Sequence, residues 1–244
     1  MKSKLIVANW KTNPLSEKEA VRLAQAEDNE NAIICPPFIF LSAVKKNLKH
    51  AQLGAQDVFW EKSGPYTGEI STDMLKNSGV KFVIVGHSKR RTLGETDEIV
   101  SKKASACLKS GLVPIVCVGE RERDNGHTYL NFIKQQLKSS LVGVPRALAG
   151  KVVVAYEPVW AIGRKAARAA TSEECGEMVI FIRKILSDIF SVQSAARARI
   201  LYGGSVEPQN VNAYLTAGAD GLLVGHDSLD PKKFGEILKV AQSM

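Results

Sequence analysis

Cysteine is scarce: Cys35, Cys107, Cys117 and Cys175 are the only four in 244 residues, and no two form a CxxC pair. A disulfide scaffold, a zinc knuckle and a dithiol redox centre are thereby excluded, and the four read as buried, reduced thiols of a cytosolic protein. Aromatics make up only 7% of the chain and are not interleaved with the basic residues, so no base-stacking surface for nucleic acid is expected. Lys and Arg outnumber Asp and Glu by 33 to 25, but they are scattered in small groups such as Lys45, Lys46 and Lys49, the pattern of a solvated surface. That charge remains compatible with a small phosphorylated partner. Long apolar runs are missing too. Nothing approaches a membrane span, and Leu5 to Ala8, the apolar stretch near the amino terminus, is too short for the core of a signal peptide.

What is present is a recurrence of short Val-, Ile- and Leu-rich runs: Leu5 to Ala8, Ala32 to Cys35, Ala51 to Ala55, Phe82 to Val85, Val113 to Val118, Val152 to Tyr156, Ile200 to Tyr202 and Gly221 to Val224. Most are continuous rather than alternating, as expected of parallel strands covered on both faces. Helical patterns lie between them. Ser16 with Glu19 reads as a capping box, Thr96 as a cap and Gly111 as a stop, Leu130, Ile133, Leu137 and Leu141 as a helical stripe, Ser172 as an opening residue, and Asp230-Pro231 as the start of the last helix. Eight strands alternating with helices, without linker or low-complexity stretch, predict a single (β/α)8 TIM barrel over residues 1–244. An open doubly wound sheet is the alternative. Its glycine-rich turn after the first strand is replaced here by Asn9, Trp10 and Lys11.

In a barrel, reactive groups stand at the carboxyl ends of the strands. Asn9 and Lys11 follow the first strand, Gly86, His87 and Ser88 the fourth, and Glu157 and Pro158 the sixth. An amide, an ammonium, an imidazole and a carboxylate therefore converge on one rim, which is a catalytic constellation. Gly203, Gly204 and Ser205 follow the seventh strand and Gly225 the eighth, where backbone N–H groups can approach an anion.

The runs Asn9-Trp10-Lys11, Gly86-His87-Ser88, Ala155 through Gly163 (AYEPVWAIG) and Tyr202 through Val206 (YGGSV) resemble the triosephosphate isomerase family, and the likeness extends over nearly the whole chain. It includes Thr67-Gly68-Glu69, Gly94-Glu95-Thr96 and Cys117-Val118-Gly119-Glu120 in family order. The resemblance implies interconversion of dihydroxyacetone phosphate and D-glyceraldehyde 3-phosphate through an enediolate, with no cofactor and no metal. Glu157 is expected as the base, His87 as hydrogen-bond donor and Lys11 as the cation, with Asn9 on a substrate oxygen and Gly163, Ser205, Gly225 and His226 around the phosphate. A cytoplasmic homodimer is implied as well, because residues 60–71 resemble the loop that inserts beside the neighbouring subunit's site. The alternative is an impaired homologue that keeps the barrel and binds sugar phosphates or a protein. Three departures from the family pattern bear on this: Lys89 where the family has Glu, a longer segment from Arg164 to Arg168 in the lid, and His226-Asp227 where a second glycine is usual. Lys89 is expected to crowd Lys11, and Asp227 to oppose the phosphate.

Overall fold

The computed structural model describes residues 3–163, 166 and 168–244. Eight parallel strands close into one barrel in sequence order. They are β1 (Leu5–Asn9), β2 (Ala32–Cys35), β3 (Gln52–Ala55), β4 (Phe82–Val85), β5 (Val113–Val118), β6 (Val153–Tyr156), β7 (Arg199–Tyr202) and β8 (Gly221–Val224). The ring is completed by β8 beside β1, with Ile6 opposite Leu222 and Ala8 opposite Val224. The open-sheet alternative is therefore wrong. The helices are α1 (Glu17–Ala26), α2 (Leu41–Asn47), α3 (Thr72–Asn77), α4 (Ser88–Thr92), α5 (Asp97–Ser110), α6 (Thr128–Leu141), α7 (Ser172–Ile189), α8 (Val192–Arg197), α9 (Val211–Thr216) and α10 (Pro231–Gln242).

Continuous apolar strands follow from this architecture, because alternate side chains enter two different cores. Val7, Ile33, Ile84, Ile115, Val153, Leu201 and Leu223 fill the barrel interior. Ile6, Ile34, Val83, Val116, Val154 and Leu222 face outward against the helices, together with the buried stripes of α5, α6, α7 and α10. Thr96 caps α5 and Gly111 ends it in the left-handed conformation, while Asp230 caps α10. Ser172 opens α7, as expected, with Thr171 as its cap in a reciprocal box with Glu174. One detail differs from the sequence reading. At α1 the Glu19 carboxylate accepts from the Ser16 hydroxyl, so only the Ser16 half of the box is formed.

One buried group near the site has a measurable consequence. Glu27, at the end of α1, accepts a 3.0 Å hydrogen bond from the indole of Trp10, and its other oxygen has no partner among the described residues. Burial pushes its pKa up from 4.5 to about 9, only partly opposed by that bond. The folded state thus holds a proton that the unfolded chain has released above pH 4.5, so stability falls as pH rises from about 4.5 toward 9. Replacing Glu27 by Gln removes this titration. In chemical denaturation, the stability of Glu27→Gln relative to the parent is expected to grow by about 1.4 kcal/mol per pH unit between pH 6 and 8. A pH-independent difference would show that the glutamate is ionised in the folded protein.

Candidate active site

The eight residues singled out in the sequence, Asn9, Lys11, His87, Glu157, Gly163, Ser205, Gly225 and His226, all line one cavity of about 410 Å³ at the carboxyl end of the barrel. A larger one of about 510 Å³ lies toward α5 and α6 and shares only Glu157 with it. That neighbour contains neither Lys11 nor the glycine turns after β7 and β8, so the smaller cavity is where the reactive groups converge.

Each side chain is aimed by its backbone. Lys11 has φ of 55°, a left-handed geometry uncommon for a side-chain-bearing residue. It is held there by Asn9, whose Oδ1 accepts from the Lys11 N–H at 3.1 Å, and by Gln56, whose Nε2 donates to the Lys11 carbonyl at 2.7 Å. Because its oxygen is taken, Asn9 offers its NH2 to a ligand. His87 closes β4 and precedes α4, and its Nδ1 accepts from the Lys89 backbone N–H at 3.2 Å. That bond assigns the ring proton to Nε2, so the imidazole is a neutral donor on the cavity side. Glu157, only 3% exposed, places Oε1 3.1 Å from His87 Nε2, and its Oε2 accepts from the Ser88 N–H at 2.9 Å. The carboxylate is thus docked on the turn after β4, with both oxygens occupied.

At the other end of the cavity, the Ser205 hydroxyl donates to the Ala161 carbonyl at 2.9 Å, leaving its backbone N–H as the group free for an anion. A β-carbon at Gly225 would lie 3.1 Å from Lys11 Nζ, so glycine here lets the ammonium reach the junction between the carboxylate–imidazole pair and the turns after β7 and β8. Gly119 serves the opposite wall. Any β-carbon there would collide with the Glu157 carbonyl, 1.6 Å away, so the close approach of β5 to Glu157 requires glycine.

Comparison with known proteins decides the family. The family model described as Triosephosphate isomerase matches residues 4–241. Among curated relatives, a triosephosphate isomerase of Dictyoglomus thermophilum is 43% identical over 251 residues, covering 98% of this chain and 100% of that protein. One from Thermoanaerobacter pseudethanolicus is 41% identical over 250 residues, 98% of this chain and 99% of that protein. One from Aquifex aeolicus is 42% identical over 247 residues, 96% and 98% of the two chains. The chain belongs to the triosephosphate isomerase family.

Set in that family, the three departures resolve differently. Of the altered lid, Arg164, Lys165 and Ala167 lie outside the described residues, but its two ends are anchored. Trp160 Nε1 donates to Glu120 Oε1 at 2.8 Å, and that oxygen also accepts from Tyr156 and Arg123. The guanidinium groups of Arg168, 4.7 Å from the ring centre, and Arg123, at 5.6 Å, both lie over the indole. Arg168 is clamped in a two-bond pair to Glu174, whose pKa it draws down to about 2, and Tyr214 donates to the Ala170 carbonyl at 2.8 Å. Glu120, Arg123 and Arg168 were not singled out as functional residues; only the Cys117–Glu120 likeness hinted at the first. The crowding expected from Lys89 does not occur, since its side chain is exposed on α4 with no partner among the described residues. Lys89→Glu is accordingly expected to keep kcat/KM within about threefold of the parent, a surface-charge effect. A larger change in a steady-state assay would place Lys89 in the working site. Asp227, finally, is turned inward and paired with Lys233 at 3.1 Å, so its charge is compensated rather than simply set against an anion.

Proposed function

We propose that this chain interconverts dihydroxyacetone phosphate and D-glyceraldehyde 3-phosphate by proton transfer through an enediolate. One observation carries the reading: a buried carboxylate and a neutral imidazole donor 3.1 Å apart share a cavity with a lysine ammonium and an anion-accepting glycine turn. Moving a proton between adjacent carbons beside a carbonyl takes one base that can reach both, and Glu157 fills that role by leaving the Ser88 N–H. As charge builds on the carbonyl oxygen, the Nε2–H of His87, the ammonium of Lys11 and the amide of Asn9 stabilise it, the arrangement of imidazole and glutamate known for this enzyme class. The phosphate occupies the corner formed by Gly163, Ser205, Gly225 and His226. Its binding energy is available to draw the lid from Trp160 over the reacting carbons and shed water. The test is a coupled assay in both directions on purified protein. Turnover in both is expected; binding of triose phosphate without turnover would instead favour an impaired homologue.

The same reading makes the protein a cytoplasmic homodimer with a triose phosphate as its small-molecule partner. Residues 61–69 are exposed throughout, and Leu15, Ile39 and Leu93 are each at least 80% exposed on loops after β1, β2 and β4. Such a grouping of apolar side chains on one side of the rim is what a partner surface covers. All four cysteines are free and buried, and desolvation raises their pKa values, which suits a reducing compartment. Light scattering at micromolar concentration should give twice the chain mass, and Leu93→Asp should shift it toward the monomer. Full activity at monomeric mass would refute the dimer. No described helix is long and apolar enough to cross a membrane.

A further inference from the structure

Asp227 and Lys233 each occupy a position that is unfavourable alone. Asp227 lines the same cavity as Gly225, Ser205 and Lys11, is only 6% exposed, and leaves Oδ2 without a hydrogen-bond partner among the described residues. A buried carboxylate beside a site for a phosphate dianion costs desolvation and repels the ligand. Lys233 stands in the first turn of α10, where the helix macrodipole disfavours a cation. The two meet at 3.1 Å between Lys233 Nζ and Asp227 Oδ1, with the ammonium half-exposed and outside the cavity lining. Asp227, with smaller contributions from Asp230 and Glu207, raises the Lys233 pKa above its ordinary value, so the cation is charged at neutral pH.

We infer that the Asp227–Lys233 pair is a specificity determinant of the phosphate corner: Lys233 acts through Asp227, screening its carboxylate so that a dianionic ligand is accepted. Lys233 is thus a positioning residue that does not touch substrate. The inference rests on the proposed isomerase reading for the ligand's identity but concerns only affinity for the anion. Because the carboxylate is nearer the cavity than its counter-ion, the two residues have opposite signs. Removing Lys233 exposes the ligand to an uncompensated negative charge, whereas removing the charge of Asp227 relieves the repulsion that remains. A merely structural pair predicts loss in both cases.

The experiment is a double-variant cycle of Lys233→Met, Asp227→Asn and the two combined, read in two ways. By calorimetry, with inorganic phosphate as probe at pH 8, Lys233→Met should weaken binding about tenfold, Asp227→Asn should tighten it, and the combination should return near the parent. In steady-state kinetics, Lys233→Met should raise KM for D-glyceraldehyde 3-phosphate about tenfold with kcat unchanged, and Lys233→Arg should restore it. Proton exchange of D-glyceraldehyde, which carries no phosphate, should be the same in Lys233→Met as in the parent. Unchanged phosphate affinity in Lys233→Met, weaker binding in Asp227→Asn, or a KM rise that Asp227→Asn does not reverse would each overturn the assignment. Calorimetry separates the two readings: a parent that binds phosphate with the expected cycle but does not turn over refutes only the isomerase, and a flat cycle in an active enzyme refutes only the pair.

Discussion

Glu157→Gln should lower kcat by at least about 10²-fold while leaving KM within a few-fold of the parent, because the substitution keeps the shape of the side chain and removes the proposed base. The local geometry sharpens the expectation. Glu157 currently accepts from Ser88 N–H through Oε2 and from His87 Nε2 through Oε1. A glutamine has one acceptor and one NH2, so it must turn a donor toward one of these donors, and its docked position is weakened as well as its basicity. Glu157→Asp provides the complementary measurement: it keeps the base but withdraws it by one methylene, so its kcat should fall between the two. Binding of inorganic phosphate, for which the far end of the cavity is the proposed site, should be unchanged in both. If Glu157→Gln retained kcat within tenfold, the proton would have to be taken by another carboxylate of the cavity. Glu207 and Asp227 are the others lining it, and Asp227 is already engaged by Lys233.

Lys103→Met should destabilise the protein by about 3–5 kcal/mol and lower the melting temperature by about 10 °C. Lys103 is 4% exposed, and its Nζ lies 2.6 Å from Asp57 Oδ1 and against Glu95 Oε1. Methionine fills nearly the same volume, so the loss is electrostatic: buried Glu95 is left without its cation, while Asp57 keeps Arg90 at 2.6 Å. The damage should reach the site, since Glu95 Oε2 accepts from the Gly86 N–H at 3.0 Å, the residue before His87. The variant should therefore lose kcat at temperatures where it remains folded. Adding Glu95→Gln to Lys103→Met removes the stranded charge and should recover part of the stability in urea denaturation. A loss below 1 kcal/mol in Lys103→Met would mean that solvent reaches this cluster and screens it.

The contrast between these two cases shows what a sequence carries. Glu157 was identifiable because it follows an apolar run directly, and the end of a barrel strand is a position at which side chains meet from every strand. Asn9, Lys11, His87 and the glycine turns were legible for the same reason. Lys103 was not, because it falls on the apolar face of α5 among Val100, Ala104 and Cys107, where periodicity alone marks only a buried position. Its carboxylate partners come from residues 8 and 46 positions away, a pairing that no local pattern specifies.

Strand positions, their parallel association and the rim on which the polar groups gather were determined by the sequence itself, since apolar period and chain order are local quantities; closure into a barrel rather than an open sheet was decided by the pairing of β8 with β1. Charge compensation was decided only by tertiary structure. Lys89 appeared from its neighbours to threaten Lys11 and instead projects to solvent; Asp227 appeared to oppose the phosphate and instead turns in to Lys233; Trp160 and Arg168, after β6, meet Glu120 and Arg123, after β5. The physical reason is that the sign of an electrostatic effect depends on which groups lie within a few ångströms and on the water between them, distances that exist only after the chain has folded.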